Sequence, residues 1–498
     1  MDISGVYSDL RMEEVGEFIG VRTQAGANIL KSVSHKWSAN PRRQSAQIAA
    51  LKAALTPQHI LTFDKLLTAA AEVEPTVQKT LAGDPLSEEC YGQLLFRSEY
   101  TSTLNHIPFL LIVLRFYKIF VVPAMAVAMP LMAIVLPFIL IRYVFNMPMP
   151  LPTYITLIKK VYSGSLGSPE GTDLISKVKY YAQTGWLVFN FVQSLWAPIN
   201  AAKHLYKLDS SLVAEGDAIC KLIDYTHTLR EELLVLGFKS EPLPLTVSDR
   251  RQAVAYVLEN PAAMRILLKQ LGTYEVLYRL AAHSDICVVK WFQGRRPQLR
   301  LKNTYDIRVA AESRVTFSVD FSKKPHAILT GPNRGGKSTA LRAIGRSVFL
   351  AHTFGCAIGR SAAMTPFRWM QTCLRLEDIP GSKSLFEREV AIASLAVNRI
   401  RSKAGSGLIL IDELFHSTNP PDAEIASRKF LGELWRSRST LSVVSTHLFC
   451  LADEERDTVQ KLCCPATDDG RTIKYKYGLA PGICRVSSVR EILREQGL

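Results

Sequence analysis

Gly331-Pro-Asn-Arg-Gly-Gly336-Lys337-Ser338-Thr339 brings glycines, one lysine and two hydroxyls together at the spacing of a phosphate loop. Glycines let the backbone curl until its N–H groups surround a β-phosphate. Lys337 sets a positive charge against the β- and γ-phosphates, and the Ser338 hydroxyl reaches Mg²⁺. A second set, Leu408-Ile-Leu-Ile411-Asp412-Glu413, is a β-branched apolar run ending in two carboxylates. Asp412 suits the hydration shell of Mg²⁺. Glu413, one residue on, is left to orient and deprotonate a water, because a carboxylate bound to metal is a poor base. A third run, Leu441-Ser-Val-Val-Ser445, delivers Thr446 and His447, whose hydroxyl or imidazole is placed to sense a γ-phosphate. The loop is expected to bind a nucleoside triphosphate. Gly331, Pro332, Asn333, Arg334, Gly335, Gly336, Lys337, Ser338 and Thr339 are expected on the nucleotide, Ser338 and Asp412 on Mg²⁺, and Glu413 and His447 in catalysis.

These groups need elements to hold them. His326-Ala-Ile-Leu-Thr330 reads as a strand feeding the loop, and Ala340-Leu-Arg-Ala-Ile344 as the helix leaving it, which adds its N-terminal field to the phosphate site. Three apolar strands, each delivering polar residues at its end, predict an α/β domain with a largely parallel sheet.

The same motifs resemble the ATPase domain of the MutS family. That family's phosphate loop has the form Gly-Pro-Asn-x-Gly-Gly-Lys-Ser-Thr, matched here with Arg334 at the variable place. Its Asp-Glu element continues through a Thr and a later Asp, found here as Thr418 and Asp422. The usual Gly-Arg-Gly before that Thr is replaced by Phe415-His416-Ser417. The closing Thr-His-x-Phe is Thr446-His447-Leu448-Phe449. Ser382-Lys-Ser384-Leu-Phe386-Glu-Arg-Glu389 looks like the signature in which a serine reaches the nucleotide of the opposite subunit. Ile473-Lys-Tyr475-Lys-Tyr477, Pro481-Gly482 and Ser488 are similar to the domain's end. The resemblance implies an ABC-like P-loop ATPase, a homodimer clamp with Ser384 acting in trans, and DNA as a sequence-independent partner in mismatch repair or recombination. Upstream, Trp37 to Pro41 with Ile48 and Leu51 resembles the helical core that precedes this ATPase. Gly16-Glu17-Phe18-Ile19 has the wrong order for a Phe-x-Glu mismatch wedge, so the chain reads as a short form without a mismatch-reading domain.

With 498 residues the chain has room for roughly two to four domains. Four segments are expected: a helical 1–105, resembling half of a MutS-like core; an apolar 106–145; a helical, core or lever-like 146–300; and the ATPase-like 301–498. Lys and Arg number 60 against 45 acidic residues, a net charge of +15, which favours a polyanion, either nucleic acid or an anionic membrane face. The charge is spread along the chain, so a generally solvated basic surface stays open as well. The nine cysteines are scattered without a C-x-x-C pair, which argues for a reducing compartment and against a zinc site or disulfide framework. The N-terminal residues lack the basic start and apolar core of a secretory signal, so no cleaved signal is expected and the location is intracellular.

One segment resists a soluble reading. From Ile119 to Ile141 there is no charged residue, and Lys118 and Arg142 bound the run. It is long enough to cross a bilayer. Either it is a membrane segment, with the ATPase part on the cytosolic or nuclear side, or it is an apolar helical hairpin buried in protein. Pro123, Pro130 and Pro137 each remove a backbone donor, and basic residues flank both ends, so a hairpin within 106–145 is expected over one straight span. Trp186, Phe189, Phe191 and Trp196 read as interfacial aromatics or, by preference, as core. Leu205, Leu208, Leu212, Ile219, Leu222, Ile223, Leu229 and Leu233 predict a long helix, a bundle member or a lever. Arg295, Arg296, Arg300 and Lys302 beside Trp291 and Phe292 leave phosphate contact and a solvated connector equally open.

Overall fold

The computed structural model describes residues 4–32, 37–38, 41–83, 91–96, 98, 100–162, 174–238, 240–244, 247, 249–294, 296–374, 385–413, 415–469 and 472–495. They form two compact units. One comprises Met1–Ala71, Tyr225–Pro242 and Leu268–Leu498, and the other Glu72–Asp224 and Leu243–Leu267. Each unit is assembled from separate stretches of chain, whereas the sequence reading divides the chain into four consecutive segments.

The first unit carries two main sheets. One has six strands: β4 (His326–Thr330), β7 (Trp369–Cys373), β8 (Gly407–Asp412), β9 (Thr440–Ser445), β10 (Val459–Cys463) and β13 (Ala480–Pro481). Their order is β13-β10-β4-β9-β8-β7, parallel throughout except for the β10–β13 edge pair. The strands β4 and β9 are buried along their whole length, which is why both read as apolar runs without alternation. The polar residues inside them are paired: His326 Nδ1 lies 2.8 Å from Ser442 Oγ and its Nε2 3.1 Å from the Ser437 carbonyl. With Nε2–H donating to that carbonyl, Nδ1 accepts from the serine, and the ring is neutral. Burial holds its pKa down at about 4.

The other sheet departs from the expected parallel arrangement. Its strands are β1 (Ile286–Trp291), β2 (Leu299–Thr304), β3 (Phe317–Asp320), β5 (Cys356–Ile358) and β6 (Ser361–Met364), in the order β3-β2-β6-β1-β5. Only β1 and β6 run parallel, and the other pairs are antiparallel. The physical reason is connection length. Cys356–Ile358 and Ser361–Met364 pair on opposite sides of β1, and the short turn between them leaves no room for a helical crossover, so the chain reverses and only β6 runs parallel to β1. Of the basic residues after Trp291, Arg300 and Lys302 therefore lie on β2, Arg296 lies in the loop before it, and Arg295 lies outside the described residues. Trp291 Nε1 donates to Ser45 Oγ at 2.7 Å, and the Arg300 guanidinium lies 3.1 Å from Asp320.

Between these sheets runs Lys337–Phe354, a helix buried over almost its whole circumference. A Cβ on Gly345 would stand 2.4 Å from Leu10 Cδ2, so the close approach of the N-terminal helices needs glycine there. The next residue, Arg346, is fully buried. It binds Asp306 at 2.5 Å, Glu14 at 2.6 Å and the Leu10 carbonyl at 2.7 Å. Trp37 stacks on His352 with ring centroids 4.3 Å apart, which ties the N-terminal region into this core.

The second unit is helical. Pro108–Val144 is one continuous helical run of 37 residues, with π-helical turns at Tyr117–Val121 and Leu140–Val144. It replaces the hairpin expected within 106–145. A proline inside a helix costs one N–H bond and a clash with the carbonyl four residues back. Here the wider π turn just before Pro123 gives its ring room, and the Tyr154 hydroxyl donates to the Ile134 carbonyl at 2.5 Å beside Pro137. The chain turns back only afterwards, in Leu151–Tyr162, where Tyr154 packs on Phe138 at 4.9 Å.

Leu174–Val235 then forms the long helix that the leucine periodicity predicts, and Leu212, Ile219, Leu222, Ile223, Leu229 and Leu233 are all buried. Its first part behaves otherwise. Trp186 (65% exposed), Phe189 (58%), Phe191 (37%) and Trp196 (56%) face outward, which overturns the expectation of core packing. Below them a polar knot is buried: Asp209 binds Arg115 at 2.7 Å and Arg251 at 3.0 Å.

Candidate functional site

Three parallel strands end together, and their ends carry the predicted chemistry. After β4 the phosphate loop leaves through Gly331 (φ 150°) and enters the Lys337–Phe354 helix through Gly336 (φ 97°), both in a region that side chains disfavour. Lys337 opens the helix with its ammonium turned back over the loop, donating to the Gly331 carbonyl at 3.0 Å and the Pro332 carbonyl at 3.3 Å. It is buried. Neighbouring β8 ends at Asp412, which accepts from Ser445 Oγ at 2.5 Å, and Ser445 is the last residue of β9. The adjacent strand ends are thereby stitched together by side chains as well as by the ladder.

Glu413 sits where all three ends meet. Its carboxylate lies 2.7 Å from His447 Nε2 and 3.3 Å from Lys337 Nζ. The same imidazole nitrogen is 3.0 Å from Lys337 Nζ, yet one nitrogen cannot donate to the carboxylate and accept from the ammonium together. A proton on Nε2 directed at Glu413 resolves the cluster, because the ammonium then spends its three protons on the two loop carbonyls and the carboxylate. The His447 hydrogen bond, followed by the charges of His447 and Lys337, holds the Glu413 carboxyl down at about 2. It is ionised at neutral pH, as a base must be.

The backbone is held in unusual conformations here. Arg334, Glu413 and Tyr477 all line one cavity of about 690 Å³ and all have positive φ, at 64°, 54° and 51°. Such strain persists where surrounding contacts over-determine it. For Glu413 these are bonds from its N–H to Ser445 Oγ (3.1 Å) and to the Ser445 carbonyl (3.3 Å). The cavity is walled by the loop residues Pro332 to Thr339, by Glu413, and by a segment that sequence reading missed. That segment includes Tyr305, Arg308, Val309, Arg314, Val315 and Phe317. Arg314 stacks over the Tyr305 ring at 4.1 Å, and Tyr305 donates to Asp285. No motif marks these residues, because an apolar wall is made by whatever side chains pack there. The Tyr477 position was noted only as part of a strand pattern.

Pro332 to Thr339 and Glu413 thus meet at one cavity, with Gly331 leading into the loop, His447 bonded to Glu413 and Asp412 on the strand end beside it. Ser384 lies outside the described residues. The replacement of Gly-Arg-Gly by Phe415-His416-Ser417 acquires a physical account. Phe415 is buried in the core against Phe386 and Phe430, Ser417 Oγ donates to the fully buried Glu389 at 2.5 Å, and His416 Nδ1 lies 2.7 Å from the Glu413 carbonyl and 2.9 Å from Glu389. These three residues bind the turn that bears Glu413 to the Leu385–Arg401 helix of the same chain. For a metal, the donor set offers a hydroxyl at Ser338 and a carboxylate at Asp412, hard oxygen ligands of the kind Mg²⁺ takes. Among the described residues no cluster of three or more His, Cys, Asp and Glu is arranged to hold a metal by protein ligands alone.

Residues 327–494, which span the loop, both carboxylates and His447, match the MutS domain V family. The chain is 24% identical over 361 residues to the DNA mismatch repair protein MSH1, mitochondrial, of Arabidopsis thaliana, covering 68% of this chain and 31% of that protein. It is 24% identical over 263 residues to the DNA mismatch repair protein MutS of two strains of Thermus thermophilus, covering 52% of this chain and 31% and 30% of theirs. The chain spans about a third of the length of these curated relatives.

Proposed function

Because the chain belongs to the MutS family through its domain V, we propose that it binds and hydrolyses ATP at the Lys337 loop and acts as a dimeric clamp on DNA. One observation carries the ATPase reading: Lys337, Glu413 and His447 converge at the phosphate loop within 3.3 Å of one another. Loop amides and Lys337 hold the phosphates, while the apolar surface of Val309, Val315, Phe317 and Tyr477 suits a planar base. Ser338 and Asp412 hold Mg²⁺, which when bound neutralises charge developing on the phosphates. A phosphate competes with Glu413 for the Lys337 ammonium. Nucleotide binding therefore frees the carboxylate to orient and deprotonate water, with His447 reporting on the γ-phosphate. Glu413→Gln is expected to bind ATP and lose turnover. Unchanged turnover would reduce ATP to a binding switch.

DNA as the target is supported by the net charge of +15 and by the printed names of the relatives. The resemblance supports the dimer, with Ser384 of one chain serving the other's nucleotide. Filter binding with matched, mismatched and branched DNA tests this, and no retention at low salt would sink it. A second reading, an ATPase of the same kind anchored in a membrane and acting on a membrane or protein partner, is favoured by the Pro108–Val144 helix. Its most apolar 18-residue window has a mean hydropathy of 2.5, and only 6% of that window is buried. Both readings are intracellular, with the ATPase part on the cytosolic, nuclear or organellar-interior face.

A further inference from the structure

We propose that the helical unit inserts into a lipid bilayer as a two-legged hairpin whose second leg is the first part of the Leu174–Val235 helix, residues 180–202. This stretch is less apolar than the Pro108–Val144 helix and carries Asn190, Gln193 and Asn200, so hydropathy alone passes over it. Its sequence nonetheless contains no Asp, Glu, Lys or Arg from Tyr180 to Ala202, between Lys179 and Lys203. At 1.5 Å per residue that is about 35 Å of helix, enough for a hydrocarbon core of about 30 Å.

The structure supplies the register. Arg115, near the start of the first helix, is bonded at 2.7 Å to Asp209, which lies beyond the apolar part of the second. That buried pair gives the two helices a common origin. Measured along each helix from it, Ile119–Ile141 and Tyr180–Ala202 cover the same roughly 30 Å, one ascending and the other returning. Exposed tyrosines mark both ends of both legs: Tyr117 and Tyr143 on the first, Tyr206 and Tyr181 on the second. Each pair is separated by about 38 Å of helix, the distance between the two interfacial belts where amphipathic rings settle. Between the belts the exposed apolar residues of the second leg include Trp186, Val188, Phe189, Val192, Trp196 and Ile199. A soluble protein rarely leaves such a contiguous apolar surface open.

The occupant is therefore hydrocarbon and not another protein. A protein partner would require apolar residues on one face, whereas the first helix has no buried residue from Val122 to Val144 and the tyrosine spacing fits bilayer thickness. The consequence is topological: the stretches before residue 108 and after residue 209 emerge on the same side, and the turn at Phe145–Pro150 emerges on the other.

The test uses the full chain in sealed membrane vesicles, with epitope tags at both ends and a third inserted after Asn146. The chain should stay in the membrane pellet at alkaline carbonate. Protease should remove both end tags from one side, and the turn tag should be protected until detergent is added. End tags on opposite sides would mean a single span and would overturn the proposal. So would all three tags on one side, or release by carbonate. Val188→Lys with Val192→Lys places charges on one exposed face of the second leg and should move the end tags to opposite sides, whereas an unchanged tag pattern would remove that leg from the bilayer. Nucleotide binding by the detergent-solubilised chain, read separately, keeps a failure here distinct from a failure of the ATPase reading.

Discussion

The six-stranded sheet and the paired helices of the second unit follow opposite rules of burial. In the sheet, β4, β8 and β9 hide Ile, Leu and Val almost completely, and the polar groups collect at the strand ends around Glu413. In the helical unit Asp209 is buried between Arg115 and Arg251, and Trp186 and Trp196 are exposed. The first pattern is that of a fold organised by water, and the second is the one that the proposed bilayer insertion requires. The same composition of apolar residues thus carries two meanings, and burial separates them.

Four substitutions or conditions probe that contrast. Glu413→Gln should lower turnover about 10²–10⁴-fold while nucleotide binding persists, measured by phosphate release and by fluorescent nucleotide titration. Equal loss of both would mean that the turn, not the chemistry, had failed. Arg346→Met removes a fully buried cation and leaves Asp306 uncompensated, so chemical denaturation should lose about 3–5 kcal/mol of stability. A loss below about 1 kcal/mol would show water reaching that triad.

Acid should weaken the sheet unit next. Burial holds both His326 and His352 at about 4 when folded, against about 6.5 when unfolded. Between those values the unfolded chain binds more protons, so the contribution is complete above pH 6.5 and is lost as pH falls toward 4. The upper limit is about 3 kcal/mol for each ring. Melting temperature should therefore drop between pH 7 and pH 5, and His352→Gln should flatten the drop. Glu413 acts in the same direction but lower, below its ordinary carboxylate range, because its depressed pKa favours the folded state only while it is ionised. The smallest effect belongs to the helical unit: Trp186→Ser should change stability in detergent by no more than about 0.5 kcal/mol, since the ring contributes nothing to a protein core. A larger loss would indicate that Trp186 is packed against protein after all.

Glycine spacing, a lysine, a carboxylate pair and a histidine after an apolar run are local patterns, so loop, strand and helix around Gly331–Thr339 were legible from the chain alone. The mixed second sheet was not, because antiparallel neighbours such as β2 and β6 are chosen by long-range pairing and leave no mark on a short segment. The cavity wall from Tyr305 to Phe317 was missed for the same reason. The single long helix at Pro108–Val144 was not legible because prolines argue locally for a break, whereas the helix carries Pro130 and Pro137 in its interior and flanks its α-helical part with π turns.

By itself the sequence determined which groups could meet a phosphate and that one stretch is long and apolar enough to cross a bilayer, since both depend on residue types a few positions apart. Tertiary structure decided that Glu413 is shared between Lys337 and His447, that Phe415-His416-Ser417 is bound into its own chain, and that Trp186 and its neighbours face outward. Each of these depends on which distant surfaces come together, and for that spacing along the chain carries no information.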